Sequence, residues 1–507
     1  MSRNYSQNNK RVAKNTLYLY IRMIFTMCVS LYTSRVILNA LGVEDYGVYN
    51  VVGGIVGLFT ILSGSLSAAV SRYLTFELGQ GNIVRLKKIF CTSVNVQLLI
   101  GLLIIVLVET VGWWFLNYQM DIPKTRLFAA NVVLQISCMT FFINLLSIPY
   151  NAAIIAHEKM SAFAYIGICE ALLKLLVAFL ILWNPIDKLI YYAMLMAFIS
   201  ILIRLLYGSY CKYHFEECTY NLVWDKKLLR QMCGFAGWNF FGNAAYILNT
   251  QGVNMLINIF FGVTFNAAQG IASQAQAAIL QFVNNFTTAL NPQITKSYAK
   301  GDKDYLFSLI CKGAKYTFFL LLIITLPFFV ETEYILHLWL GTVPDYASVF
   351  LRLMLLSSYM TIIGNTALTA INATGKVKNY QLSVTLIGCT VFPLTWLFYY
   401  CGGDVTLTYY IYIFIYFLLI FVRLHFLKQL LNFPIIHFVK GILLRLLFVF
   451  LPAYYLSSIP SMYYSPTLNR CIISLVCCLI ASTISILFFG LDSSERKFIF
   501  TKVKQIL

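Results

Sequence analysis

Glu170 and Lys174 stand four residues apart inside an apolar stretch of the sequence, where charge needs a reason. Ionisable groups in lipid-spanning segments are costly and are functional candidates by default. One helical turn places this pair on a common face. As a neutralised ion pair they lower the cost of insertion and lock helix packing. Facing a cavity, Lys174 would meet an anionic group and Glu170 would exchange a proton or coupling ion. Arg22 lies roughly two turns into the first apolar stretch and reaches water only through a polar cleft or by snorkelling toward the nearer face. Its guanidinium is a planar fork that matches phosphate oxygens. Arg35 follows thirteen residues later, on a different face of an ideal helix. Both line one cleft only if that helix bends; otherwise Arg35 holds the Glu44-Asp45 loop. Arg204 and Arg352 lie nearer the ends of their stretches and complete the cationic candidates. Glu109, the other acidic residue within a stretch, is close enough to its outer end to reach the interface.

A second constellation is uncharged. Asn239, Asn243, Thr250 and Asn254 recur at helical spacing, as do Gln269, Ser273, Gln276, Asn284, Thr288 and Asn291 in the next stretch. Amides both donate and accept hydrogen bonds, which suits the hydroxyl surface of a sugar. In lipid they must face protein or a wet cavity. Helix packing through small and amide residues explains some of them, but a stripe this long on two adjacent helices points to a polar translocation face.

The elements that must position these residues follow from composition. The chain has 507 residues, of which 60% are hydrophobic and 11% charged, with a mean hydropathy of +0.77. Soluble domains carry about 25% charged residues, so most of this chain belongs in lipid. Apolar stretches of roughly 20 residues recur throughout, as spanning helices require. They cover 15–41, 46–72, 89–114, 127–151, 162–184, 189–211, 231–261, 267–295, 306–330, 347–372, 381–400, 405–425, 441–459 and 468–489. The reading is an all-α polytopic membrane protein of about 14 transmembrane helices.

The net charge of +18 does not indicate a nucleic-acid partner. Lys and Arg concentrate in 1–14, 77–88, 157–161, 212–230, 296–305, 373–380, 426–440 and 491–507, whereas the opposite loops hold only Lys124, Arg126 and Lys188. That asymmetry places both termini in the cytoplasm. Residues 1–14 are polar with no cleavage motif, so the first stretch reads as an uncleaved anchor. The 13 cysteines form no C-x-x-C pair and the 5 histidines are dispersed, so no metal site is expected. Tyr clusters at 399–400, 409–412, 454–455 and 463–464 read as an aromatic belt. Pro149, Pro292, Pro327 and Pro393 mark possible kinks. No nucleotide-binding loop is visible, so no cofactor is expected; energy would come from an H⁺ or Na⁺ gradient or from consumption of the cargo.

Residues 42–82 and 262–302 align without a gap, 220 positions apart. Gly42-Val43 recurs as Gly262-Val263, Ala69 as Ala289, Leu74-Thr75 as Ile294-Thr295 and Gly81-Asn82 as Gly301-Asp302. At an offset of 217, Ala156-His157-Glu158-Lys159 recurs as Ala373-Thr374-Gly375-Lys376, and Asp187 as Asp404. Six stretches separate equivalent points, so both halves insert with the same orientation, as in carriers that rock one half against the other. The expected organisation is a cytoplasmic tail 1–14, an N-lobe 15–211, a linker 212–230 and a C-lobe 231–425. An additional helix pair with its preceding linker (426–489) and a cytoplasmic tail 490–507 follow. The two six-helix lobes would be pseudo-symmetric.

The segment Ser34-Arg35-Val36-Ile37-Leu38-Asn39-Ala40-Leu41-Gly42-Val43-Glu44-Asp45-Tyr46-Gly47-Val48-Tyr49 resembles the first hairpin of bacterial polysaccharide flippases. These belong to the multidrug/oligosaccharidyl-lipid/polysaccharide superfamily, and Leu-Gly-x-x-x-Tyr-Gly is the characteristic turn. Residues 235–302 resemble the hairpin of the second lobe. The resemblance implies alternating access and a cargo of short oligosaccharide on undecaprenyl diphosphate, moved between leaflets of the bacterial inner membrane. It also implies membrane lipids, a polysaccharide polymerase and chain-length machinery as partners. The cavity candidates for that cargo are Arg22, Arg35, Lys174, Arg204, Arg352, Asn239, Asn243, Asn254, Gln269, Gln276 and Asn284, with Glu170 as the ion-coupling candidate. Competing readings are a peptidoglycan-precursor flippase, a multidrug cation antiporter and a membrane-embedded polysaccharide polymerase. An enzyme is disfavoured, because the outer loops are short and Glu331, Glu333 and Asp345 form no recognised motif.

Overall fold

A computed structural model describes residues 2–57, 59–118, 124–181, 187–221, 225–340, 343–493 and 495–497. Among the described residues every regular element is helical, the outcome that lipid imposes on a backbone whose polar groups must pair within the segment. Among the described residues, ten helical stretches are long and apolar enough to cross a membrane, and they correspond to stretches three to six and nine to fourteen of the sequence. The other four stretches are helical as well, within α1 (Ser2–Gly57), α2 (Thr60–Gln80), α8 (Lys226–Phe261) and α9 (Val263–Ala299). These more polar helices carry Arg22, Arg35 and the amides.

The chain divides into two compact units, one comprising Met1–Asn243 with Thr295–Gly301, the other Ala244–Ile294 with Asp302–Leu507. The division runs through α8 and α9, and the 212–230 segment lies within the first unit. In that unit α5 (Leu127–Ala156) is central. It packs against α1, α2, α3 (Ile83–Leu107) and α7 (Lys188–His214), while α1 lies along α6 (Met160–Leu180). Close approach needs small residues. Ala129, Ala130, Ala152, Ala153 and Ala156 supply them on α5. Gly101 on α3 does the same, since a methyl there would lie 2.6 Å from Phe142 Cε2. A π-helical turn, Val108–Gly112, leads from α3 into α4 (Trp113–Tyr118).

In the second unit α10 (Lys303–Val330) packs against α12 (Ala347–Ile363), α13 (Asn365–Thr374), α18 (Leu444–Tyr463) and α19 (Leu468–Ser485). Short α11 (Thr332–Leu340) follows α10. α14 (Lys378–Cys389), α15 (Val391–Tyr400), α12 and α13 all pack on α16 (Leu407–Leu431). α17 (Ile435–Phe438) leads through a π-helical turn into α18. The tenth stretch breaks at Gly364 rather than at a proline. A methyl on Gly364 would lie 2.7 Å from Arg423 Cδ, and Arg423 donates to the Thr361 carbonyl at 3.1 Å.

The internal repeat is visible as geometry. Gly42 and Gly262 both have positive φ, 79° and 90°, as do Gly81 and Gly301, 75° and 73°. Asn82 and Asp302, the next residues, both cap the following helix, accepting from the Arg85 amide at 3.0 Å and the Tyr305 amide at 3.1 Å. At the 217 offset, Glu158 and Gly375 share φ of 60° and 75°. Asp187 and Asp404 likewise both accept backbone amides at helix starts. Residue identity drifted while turn and cap geometry persisted, because left-handed backbone and helix N-termini tolerate few residue types.

Arg72, Lys315, Arg423 and Arg445 lie at the predicted cytoplasmic boundaries of the apolar stretches, where sequence alone reads them as membrane anchors. In the structure each meets partners within the protein. Lys315 is 2% exposed and pairs with Glu495 (2.6 Å) and Asp492 (3.2 Å). Arg445 also binds Asp492, and Tyr316 donates to Glu495 at 2.8 Å. Arg423 is buried, and Arg72 stacks on Tyr73, Phe76 and Phe235. Partners contributed by distant parts of the chain are the reason the one-dimensional pattern missed these roles.

Burial alone would raise the pKa of Asp492 and Glu495. The bonds and charges from Arg445 and Lys315 on Asp492, and from Lys315, the Asp492 amide and Tyr316 on Glu495, outweigh it and hold both carboxyls low. Depressed carboxyl pKa values contribute stability above the unfolded value, lost as pH falls through the folded one. The docked segment 492–497 is therefore expected to stay protected from hydrogen exchange through about pH 4 and to open only below the ordinary carboxyl range. Opening at pH 5 to 6 would contradict the tie.

Candidate functional site

α6 presents one stripe built from Phe163, Gly167, Glu170 and Lys174, spaced at four, three and four residues and thus on one helical face. Arg22 of α1 lies along it. Its guanidinium carbon sits 4.2 Å from the centroid of the Phe163 ring. Gly167 provides the notch, since a methyl there would lie 2.8 Å from Arg22 Cδ. Glu170 and Tyr207 of α7 are both within electrostatic reach of Arg22. Glu170 Oε1 accepts from Lys174 Nζ at 2.6 Å, with the side chains 35% and 41% exposed. The pairing neutralises two charges that lipid would make costly.

Arg204, on α7 one turn before Tyr207, places its guanidinium carbon 3.8 Å from the Tyr150 ring centroid. Arg22 and Arg204 thus share a motif. Each cation is held face-on by an aromatic ring, and among the described residues neither donates a hydrogen bond to a protein acceptor. Stacking immobilises the plane of a guanidinium while leaving its edge donors available. Such an edge suits bidentate capture of an anionic oxygen pair.

The other charged candidates separate. Arg352 donates through Nε to Thr332 Oγ1 at 2.7 Å, which ties α12 to α11. The Arg35 side chain lies outside the described residues. Asp45, in the Glu44-Asp45 segment just beyond Arg35 in the sequence, binds Arg126, which also binds Asp187 at 2.7 Å. Glu109 accepts from Gln135 at 2.7 Å. Sequence reasoning missed Glu331: its side chain is 1% exposed and meets Arg470 at 2.7 Å and Ser474 at 2.8 Å. An apparent loop position between two stretches gave no signal of that burial.

The amides divide by use. In the first unit, Asn239 donates to the Phe235 carbonyl of its own helix at 2.9 Å, and Asn243 to Ser65 Oγ at 3.1 Å. In the second unit, Gln276 reaches α12, donating to the Met354 carbonyl at 2.9 Å and Ser358 Oγ at 2.8 Å. Asn291 accepts from Thr369 at 2.9 Å. Asn249, which the sequence reading passed over, binds the Gly388 carbonyl at 2.6 Å and ties α8 to α14. These amides satisfy helix packing. Asn254 and exposed Asn284 make no side-chain hydrogen bond among the described residues, and Gln269 Oε1 is buried without a partner there. What remains for a polar ligand in that stripe is therefore Asn254, Gln269 and Asn284.

Residues 19–180 match the MatE family, a span that includes Arg22 and the whole α6 stripe. A MATE transporter in the bent conformation is similar, with a TM-score of 0.72 at 12% identity over 84% of this chain and 96% of that one. A multidrug/oligosaccharidyl-lipid/polysaccharide superfamily transporter from Pyrococcus furiosus gives a TM-score of 0.67 at 13% identity over 83% and 96%. Fold and helix content thus define a multi-pass integral membrane protein with the architecture of the MATE transporters. By sequence the chain is similar to the uncharacterized membrane protein EpsK of Bacillus subtilis (strain 168), 20% identical over 348 residues and 67% of each chain. These proteins are transporters or uncharacterized membrane proteins, and none is described as an enzyme.

Proposed function

We propose that this protein flips undecaprenyl-diphosphate-linked oligosaccharide repeat units from the cytoplasmic to the periplasmic leaflet of a bacterial inner membrane by alternating access, for surface polysaccharide synthesis. The observation that carries the reading is Arg22, stacked on Phe163 in the Gly167 notch with its edge donors uncommitted, beside Lys174 and Glu170. A diphosphate is the cargo group such a cation fits best. The polysaccharide-flippase-like hairpin at 34–49 supports the same cargo class. Basic candidates disfavour a cationic drug. For the Pyrococcus furiosus transporter, the reverse polarity of its binding pocket is likewise described as suggesting a different function.

The test is a deletion strain whose polyprenyl-diphosphate lipids are extracted, identified by mass spectrometry and assigned to a leaflet. A complete repeat unit accumulating on the cytoplasmic face, with surface polysaccharide lost, is the expected result. The same lipid on the periplasmic face would indicate a polymerase. Its absence together with sensitivity to cationic dyes would replace the reading with drug export.

Glu170→Gln keeps the side-chain shape and removes the charge. If Glu170 exchanges an ion, the variant should reach normal membrane abundance, and its transport should no longer respond to collapse of the proton or sodium gradient. Transport with the parent's gradient dependence would reduce Glu170 to a partner of Lys174.

A further inference from the structure

Glu158 occupies a position that a carboxylate has no local reason to hold. It ends α5 with φ of 60°, its amide donating to Ile155 O at 2.9 Å and the next amide, of Lys159, to Ile154 O at 3.0 Å. This is the left-handed C-cap that helices ordinarily give to glycine, and the equivalent position of the second repeat is Gly375, with φ of 75°. The Glu158 side chain is nevertheless 0% exposed. Its Oε1 is 2.7 Å from Lys296 Nζ, and its Oε2 is 2.8 Å from Arg11 Nε. Non-glycine residues in left-handed backbone persist where the surroundings over-determine them, and they concentrate at functional and switching positions.

The two cations come from different helices. Arg11 is near the start of α1, and Lys296 lies in the last turn of α9, whose Thr295–Gly301 end belongs to the first unit although most of α9 belongs to the second. That end also touches α2. A methyl on Gly79 would lie 2.7 Å from Ala299 Cβ and 3.1 Å from the Lys296 carbonyl oxygen. Gly79 and Ala299 are 220 positions apart and so occupy the same place in the two repeats. Arg11, Glu158 and Lys296 all fall in segments that the positive-inside pattern predicts to be cytoplasmic.

We propose that Glu158 is a charge latch. Ionised between Lys296 and Arg11, it holds the inner end of α9 against the α5–α6 turn and the start of α1, and transport requires its release. Lys296 is 18% exposed and Glu158 is fully covered. Breaking the pair therefore strands a poorly hydrated ammonium, which regains water only if the helix end moves away. The backbone strain at 158 acts in the same direction. For its purpose, though not for its geometry, the latch rests on the transport function proposed above.

The test measures distance, independent of cargo. In full-length protein lacking reactive cysteines, spin labels at the exposed positions Lys159 and Lys300 report the separation of the two tied ends. The parent should give one short, narrow distribution. Glu158→Gln, which removes only the charge, and Glu158→Gly, which also gives the turn its preferred residue, should each add a longer population or replace the short one. With Arg11→Gln also made, to avoid a like-charge contact at 158, exchange of the pair in Glu158→Lys, Lys296→Glu should restore the parent distribution.

Parent-like distances in both single variants would overturn the latch even if transport were lost. So would failure of the exchanged pair to restore the short distance, whether or not the single variants accumulate. Longer distances in a protein whose deletion leaves no polyprenyl-linked glycan behind would keep the latch and remove the cargo assignment.

Discussion

Arg22→Ala is expected to lower transport roughly 10- to 100-fold, the loss of one charge-assisted hydrogen bond to the cargo at about 1.5–3 kcal/mol. Membrane abundance should not change, because Arg22 forms no hydrogen bond to the protein among the described residues. Arg22→Lys separates charge from shape. An ammonium cannot lie flat on Phe163 with two parallel donors at its edge, so this variant should recover only part of the lost rate. Gly167→Ala leaves the arginine in place but fills the space its stem occupies, and it should reduce transport in the same direction. Surface polysaccharide at parental levels in Arg22→Ala would remove this residue from the site.

Arg470→Ala is expected to have the largest effect on stability. Glu331, at the end of α10, is 1% exposed and is held by Arg470 and Ser474 of α19. Removing one partner of a buried ion pair costs about 3–5 kcal/mol, because the other charge stays buried. In detergent, the unfolding midpoint should fall by several degrees. Adding Glu331→Gln to Arg470→Ala should recover much of the loss, since the stranded charge is then gone. An equal or larger loss in the double variant would show that Arg470 acts through packing alone. Near the middle of α10, sixteen residues away, Lys315 pairs with Asp492 and Glu495 just after the other end of α19. The additional helix pair α18–α19 is thus fastened to α10 at both ends of α19.

Much of the architecture is legible in the sequence. Spanning helices announce themselves because a lipid environment permits little besides apolar side chains and internally paired backbone. The duplication was legible for a related reason: Gly42, Gly262, Gly81 and Gly301 mark positions where backbone geometry restricts residue choice. The i, i+4 relation of Glu170 and Lys174 is local and was read correctly as a pair. The spacing of Phe163, Gly167, Glu170 and Lys174 was also present in the sequence. Nothing there, however, said that α1 would lie against that face.

Sequence by itself determined the all-helical membrane fold, the repeat and its turn positions, and the identity of the charges that lipid would make costly. Only tertiary structure decided their partners. It alone turned Lys315 from an anchor into a buried tie, gave Asp45 to Arg126, and spent Gln276 on α12 while leaving Asn254 and Asn284 uncommitted. It also showed that the glutamate at 158, where the repeat has glycine, is buried and paired with Lys296 and Arg11. The physical reason is range. Periodicity, capping and backbone strain act within a few residues and leave a local imprint. The Lys315–Glu495 ion pair and the Arg22–Phe163 stack each join residues more than a hundred positions apart, and such contacts depend on helix packing that no single segment encodes.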